Sequence, residues 1–154
     1  MSSFANVTLL ATDGSREAGQ AARMAVELSR SLGSELHAVY VEPLPSPCAF
    51  PESTVIDPAF GDEMRRRAEE EARAKLEEEV GKMREAGGDV AGSHASVGRP
   101  DAEIVRLAEE VGAGLVIVGS RGLGPIRRAT MGSVPESVVR YAHCPVLVVR
   151  EGRR

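Results

Sequence analysis

The sequence predicts a doubly wound α/β domain on a five-stranded, mainly parallel sheet. Two observations carry this. Short β-branched apolar runs recur along the chain, at Val7 to Ala11, Leu36 to Val41, Leu115 to Val118 and Val146 to Val149. Such near-continuous apolar runs suit strands buried on both faces, as in parallel sheets. Stretches with helical spacing separate them, giving the order β-α-β-α-β-α-β-α-β that places helices on both sheet faces.

Each element has its own signal. After the first strand, Ala18, Ala21, Ala22, Ala25, Val26 and Leu28 form a small-residue stripe able to pack closely on a sheet. Gly33 is a natural C′ stop for that helix. The longest helix is predicted over 62–86, where Met64, Ala68, Ala72, Leu76, Val80 and Met83 recur at spacings of four and three. Glu69-Arg73, Glu71-Lys75 and Glu78-Lys82 are i,i+4 pairs on it, and this charge run reads as a solvated face. A weaker strand fits Val90 to Val97, where small residues alternate. A helix follows from Pro100 or Asp101 to Val111, with a proline near its start and Gly112 at its stop. The last helix runs from about Val134 to Tyr141.

Neither an internal repeat nor a second domain is visible, so a single domain is expected to span 1–154. The one irregular segment, Pro43 to Gly61, carries five of the nine prolines, and a lid over a site or a plain insertion would both explain it.

Bulk properties exclude several classes. With 154 residues, 42% hydrophobic and 27% charged, the chain has the make-up of a soluble globular protein with one core. A formal charge of −4 gives no electrostatic reason to expect nucleic acid as a partner. An aromatic content of 3% with no Trp leaves too few rings for a base-stacking surface. Cys48 and Cys144 form no CxxC, which argues against a disulfide framework or a thiolate zinc site. No basic-then-apolar leader and no 18-residue apolar run occurs, so no membrane association is expected and the expected location is cytoplasmic.

In an open α/β sheet, ligands bind beyond the carboxyl ends of the strands, where the winding reverses. Two such loops stand out: ATDGS at Ala11 to Ser15, and GSRGLGPIRRATMGS at residues 119 to 133. Their convergence favours the strand order 3-2-1-4-5, which makes strands 1 and 4 neighbours. Gly119 and Gly122 permit close backbone approach to a ligand. Gly132-Ser133-Val134 supplies free N–H groups at a helix N-terminus, which favours an anion. The same residues also read as a capping box, with Ser133 as N-cap and Glu136 at N3. Spelling excludes a P-loop, since no Gly-Lys-Ser/Thr occurs, and disfavours a dinucleotide fingerprint, because the helix begins only after Gly132.

The spacing that does fit is G-x2-G-x9-G-[ST], at Gly119, Gly122, Gly132 and Ser133. With it go VTLLATDGSREAGQAARMAVELSRSLGSELHAVYVEP, VGRPDAEIVRLAEEVGAGLVIVGSRG and MGSVPESVVRYAHCPVLVV, in that order and over almost the whole chain. On these blocks the sequence resembles the universal stress protein family, in its ATP-binding branch. The resemblance implies an adenine-nucleotide alpha-hydrolase-like fold and a regulatory module that holds ATP with Mg²⁺. It implies that Ala11, Thr12 and Asp13 lie at the phosphates, with Asp13 acting through the Mg²⁺; by sequence alone Asp13 also reads as a turn former. The Val41 backbone would hydrogen-bond the adenine. Gly119, Ser120, Arg121 and Gly122 would line the ribose and phosphates, and Gly132, Ser133 and Val134 would close on the phosphate tail. No family role falls on Arg127 and Arg128, which read as solvated surface first and as cations paired with phosphate second. The resemblance also implies a homodimer through the last strand, Val146 to Val149, an apolar sheet edge that invites pairing.

The alternative function is a slow ATPase or an autophosphorylating enzyme, with Ser133 or Ser120 as acceptor. Against it, His37, His94 and His143 are scattered in sequence and no nucleophile-base constellation is apparent.

Overall fold

A computed structural model of the chain describes residues 6–44, 57–121 and 131–150. Gly122, Gly124, Arg127, Arg128, Cys48 and most of the proline-rich segment lie outside these residues. Nine elements follow in order: β1 (Val7–Thr12), α1 (Arg16–Leu32), β2 (Glu35–Glu42), α2 (Pro58–Glu85), β3 (Val90–Val97), α3 (Pro100–Glu110), β4 (Leu115–Gly119), α4 (Ser133–Tyr141) and β5 (Val146–Val149). The strands form one five-stranded sheet in the order β3-β2-β1-β4-β5, every pair parallel. The predicted fold class and strand order are those observed.

Alternation along the strands divides the core in two. Leu10, Leu36, Ala38, Tyr40 and Ile117 face α1 and α2. Leu9, Ala11, Val39, Val41, Val116 and Val118 face α3 and α4. The alanine stripe brings α1 close to the sheet, with Ala21 and Ala25 fully buried. Burial of such aliphatic side chains is the main favourable term in folding, at about 1.5–3 kcal/mol for each large one.

Helix ends follow local chemistry. Ser15 caps α1 by accepting the Ala18 N–H, and Gly33 closes it in the left-handed region at φ 67°. The α2 helix begins at Pro58, earlier than the apolar spacing predicts. The Asp57 side chain accepts the Ala59 N–H there, and Pro58 fits the first turn, where no N–H is needed. Of the expected pairs on α2, Lys75–Glu71 and Lys82–Glu78 form at 3.4 Å, whereas Glu69 meets Arg65 on the preceding turn. Lys75 also reaches Glu42 at 3.1 Å, tying α2 to the end of β2.

On the opposite face, the Ser137 hydroxyl donates to Asp101 Oδ2 at 2.7 Å, joining α4 to α3. The Arg99 guanidinium, with this hydroxyl and the Ala102 N–H, holds the Asp101 carboxyl well below the usual carboxylate range. A carboxylate depressed on folding stabilises the fold above its unfolded pKa, and the contribution is lost as pH falls through the folded value. Asp101→Asn should therefore cost about 1 kcal/mol at neutral pH, a figure kept small because Arg99 is exposed. The difference from wild type should shrink below about pH 4 in denaturant melts at several pH values.

Candidate functional site

The sheet register opens a crevice at its carboxyl end. Pairing between β1 and β4 stops at Leu10 and Ile117. Yet β1 continues to Thr12 and β4 to Gly119, so two residues of each strand run on past their last shared register. Here the winding changes sense, with β2 and β3 on one side and β4 and β5 on the other. Crevices at such points are where open α/β sheets take ligands.

On the β1 side the chain turns sharply into α1. Asp13 Oδ1 accepts the Ser15 N–H at 2.9 Å, and Thr12 Oγ1 accepts the Gly14 N–H at 3.3 Å. Gly14 adopts φ 79°, a conformation strained for any residue with a Cβ. The turn-forming role of Asp13 is thus realised, and this fixes its carboxylate at the crevice mouth.

On the β4 side, two helix N-termini meet. A Cβ added at Gly119 would stand 3.1 Å from the Glu17 carbonyl carbon and 3.2 Å from the Ala18 nitrogen, so Gly119 admits the first turn of α1. Ser120, almost fully buried, donates its N–H to the Val149 carbonyl at 2.9 Å and accepts the Gly132 N–H at 2.8 Å. That second bond closes the glycine-rich loop and brings the start of α4 beside the end of β4.

The entry to α4 differs from the capping-box expectation. Gly132 is the N-cap, extended at φ −61° and ψ 159°, without a side-chain cap bond, and Ser133 is already helical. Because the Gly132 N–H is committed to Ser120 and its carbonyl accepts the Glu136 N–H, the helix starts one residue early. The Glu136 carboxylate instead approaches Arg140 at 3.8 Å. Ser133 is consequently exposed, Val134 packs partly into the α3/α4 core, and the first-turn N–H groups of α4 lack an intrahelical acceptor.

Val41 lies one position beyond Tyr40, the last β2 residue paired with β1, with its side chain buried toward α3 and α4. The strand ends at Glu42 rather than Val41, because Glu42 still pairs with Val97. Arg121 turns toward α1, its Nη2 3.9 Å from Glu17 Oε1. Sequence reasoning missed Glu17: it carries no motif, and its link to Arg121 exists only once α1 and β4 pack together. Among the described residues no group of three or more His, Cys, Asp or Glu is arranged to hold a metal ion. A Mg²⁺ brought by a phosphate chain would need few protein ligands, taking the rest from phosphate and water, and the Asp13 carboxylate could supply one of them.

The model of the universal stress protein family matches residues 6–150. The chain belongs to the universal stress protein family. It is 33% identical to universal stress protein YxiE of Bacillus subtilis over 147 residues, covering 94% of this chain and 99% of that one. Among solved structures it resembles MJ0577 of Methanocaldococcus jannaschii, with TM-score 0.76, 26% identity and coverage of 98% and 99%. It also resembles the universal stress protein of Archaeoglobus fulgidus in complex with dAMP, with TM-score 0.61, 25% identity and coverage of 93% and 95%.

Two of the histidines in this family member are not scattered in space. His37 Nδ1 and His94 Nε2 lie 3.0 Å apart on neighbouring strands, and Gly92 leaves the room that the His37 ring fills. Burial, then the nearby His37, pushes His94 below its ordinary pKa. His37 is near the amino end of β2, away from the crevice, so this pair serves the sheet rather than the site.

Proposed function

We propose that this universal stress protein binds an adenine nucleotide, ATP with Mg²⁺, in the crevice between β1 and β4 and acts as a regulatory module. The observation that carries the reading is the parting of β1 and β4 beyond Leu10 and Ile117, with the N-termini of α1 and α4 both brought to the end of β4. Peptide N–H groups and helix dipoles there favour a phosphate chain. The dAMP held by the A. fulgidus relative supports an adenine nucleotide as the ligand class.

In this reading Ala11, Thr12 and Asp13 border the phosphates, with Asp13 holding the Mg²⁺ that offsets its own repulsion of them. The Val41 backbone, past its partner on β1, addresses the adenine. Gly119, Ser120, Arg121 and Gly122 line the ribose and phosphates, and Gly132, Ser133 and Val134 receive the phosphate tail. Arg121 must exchange Glu17 for phosphate.

Calorimetric titration with ATP and Mg²⁺ should give one saturable site per chain, weakened at least tenfold in Gly122→Val. Equal binding by both proteins, or none by wild type, would sink the assignment. Nucleotide released from freshly purified protein and identified by mass spectrometry should be adenine-based.

The same reading includes a homodimer through β5. That strand forms a sheet edge with all four residues only half-buried, and Tyr141 beside it is 64% exposed. Sedimentation velocity should return twice the chain mass; a monomer at micromolar concentration would remove the dimer from the proposal.

A further inference from the structure

The histidine pair lies where the sheet is least secured. We propose that His37 and His94 form a proton-sharing clasp that pins the edge strand β3 to β2 at neutral pH and opens on acidification, giving the sheet a pH-sensitive edge.

Strand pairing supplies the first argument. β3 is an edge strand whose only partner in the sheet is β2. Their ladder is irregular beside the clasp: Leu36 pairs with Val90 but His37 with Gly92, so Ala91 has no residue opposite it. A bulge of this kind disrupts the ladder locally. The two imidazoles bridge the strands at that point. A Cβ added at Gly92 would stand 2.5 Å from His37 Nδ1, so the glycine provides the seat in which the His37 ring reaches its partner.

Ring geometry supplies the second argument. The facing nitrogens, His37 Nδ1 and His94 Nε2, are 3.0 Å apart, the ring centroids are 5.3 Å apart, and the planes are inclined by only 16°. The centroid separation matches the nitrogen separation plus one ring radius on each side. The rings therefore lie edge to edge with the two nitrogens in line, which is the geometry of one N–H···N bond with room for a single bridging proton. His37 Nε2 faces Glu35 Oε2 at 3.5 Å. That carboxylate favours the proton on Nε2, leaving Nδ1 to accept the His94 Nε2–H.

The chemistry of opening follows from this arrangement. A first added proton goes to His94 Nδ1, outside the bridge, and the bridge survives. A second must land on His37 Nδ1, where two N–H groups and two cations would then oppose each other. The surrounding charges do little to offset this. Glu35 is exposed, and Glu110 of α3, the carboxylate acting on His94, is already engaged by Arg106 at 2.6 Å. The helices α1 and α2 pack against the other sheet face. Burial, then the nearby His37, accordingly lowers the His94 pKa. In the unfolded chain both imidazoles take up protons near the ordinary value of about 6.5. The folded pair takes up fewer below that value, so its contribution to stability is complete above it and is lost as pH falls.

Imidazole NMR and residue-resolved amide exchange test the clasp. Between about pH 8 and about pH 5, His37 and His94 should titrate together in two steps, whereas His143 should give one. The Gly98 N–H donates to the Glu42 carbonyl, so alternation along the parallel ladder directs the His94 and Ser96 amides to β2 as well. Their exchange protection should fall at least about tenfold over this range, while Leu9 and Val116 in the central strands change less than about twofold. His94→Gln keeps a donor for His37 Nδ1 and can turn its amide oxygen to a protonated ring, so the fall at Ser96 should vanish. Gly92→Ala retains both histidines but displaces the His37 ring, and the two should then titrate independently. Independent single-step titration in wild type would overturn the proposal, as would unchanged protection of β3 or an equal fall across the whole sheet. A fall at Ser96 that persists in His94→Gln would do the same. The wild-type measurements decide the matter even if a variant fails to fold, and none of them involves nucleotide.

Discussion

Gly119→Val should destabilise the protein by about 1–3 kcal/mol, the usual cost of forcing atoms into a packed site, and should abolish adenine-nucleotide binding. A Cβ at position 119 would stand 3.1 Å from the Glu17 carbonyl carbon and 3.2 Å from the Ala18 nitrogen, both in the first turn of α1. Backbone cannot rotate away as a side-chain tip can, so α1 must move off the end of β4. Valine adds two methyl groups to that conflict. The displaced turn carries Glu17, and hence the contact to Arg121, and it adjoins Ser15 and the Asp13 turn. One substitution thus disturbs both sides of the crevice. Chemical denaturation and calorimetry with ATP and Mg²⁺ should both report it. A variant that keeps wild-type affinity would show that the approach of α1 to β4 is unrelated to ligand binding.

Ile117→Ala is expected to cost more, about 2–5 kcal/mol, with nucleotide affinity unchanged in the fraction that remains folded. Ile117 is fully buried, pairs with Leu10 of β1 and Leu147 of β5, and packs under α1. Removing its branched side chain leaves a cavity that the three surrounding elements cannot readily fill. For a chain of this size the loss corresponds to a fall in melting temperature of about 10 °C. The two substitutions separate stability from site geometry: the first should move both readouts, the second only one. A loss below about 1 kcal/mol would mean that the core relaxes around the gap.

The central strands Val7–Thr12 and Leu115–Gly119 were legible because a strand buried on both faces leaves little room for polar residues, and the edge strands Val90–Val97 and Val146–Val149 also stand in the fold as predicted. The alanine stripe and Gly33 likewise predict α1 and its stop, since close packing and a left-handed terminus each demand particular residues. The spacing of Gly119, Gly122, Gly132 and Ser133, with its flanking blocks, pointed to the family to which the chain belongs.

Tertiary structure decided what depends on two distant segments meeting. The start of α4 is set by the Gly132 N–H reaching Ser120, so a capping box plausible from local spelling gives way to a bond across the loop. Glu17 acquires its arginine, and His37 its histidine, through packing that leaves no periodic trace in the chain. Even the identity of the crevice rests on register: β1 and β4 part after Leu10 and Ile117, although their apolar runs continue. Hydrophobic patterning specifies which residues leave water, and that is enough to select the sheet. Hydrogen-bond partners and strand register are chosen only when the packed elements compete for them.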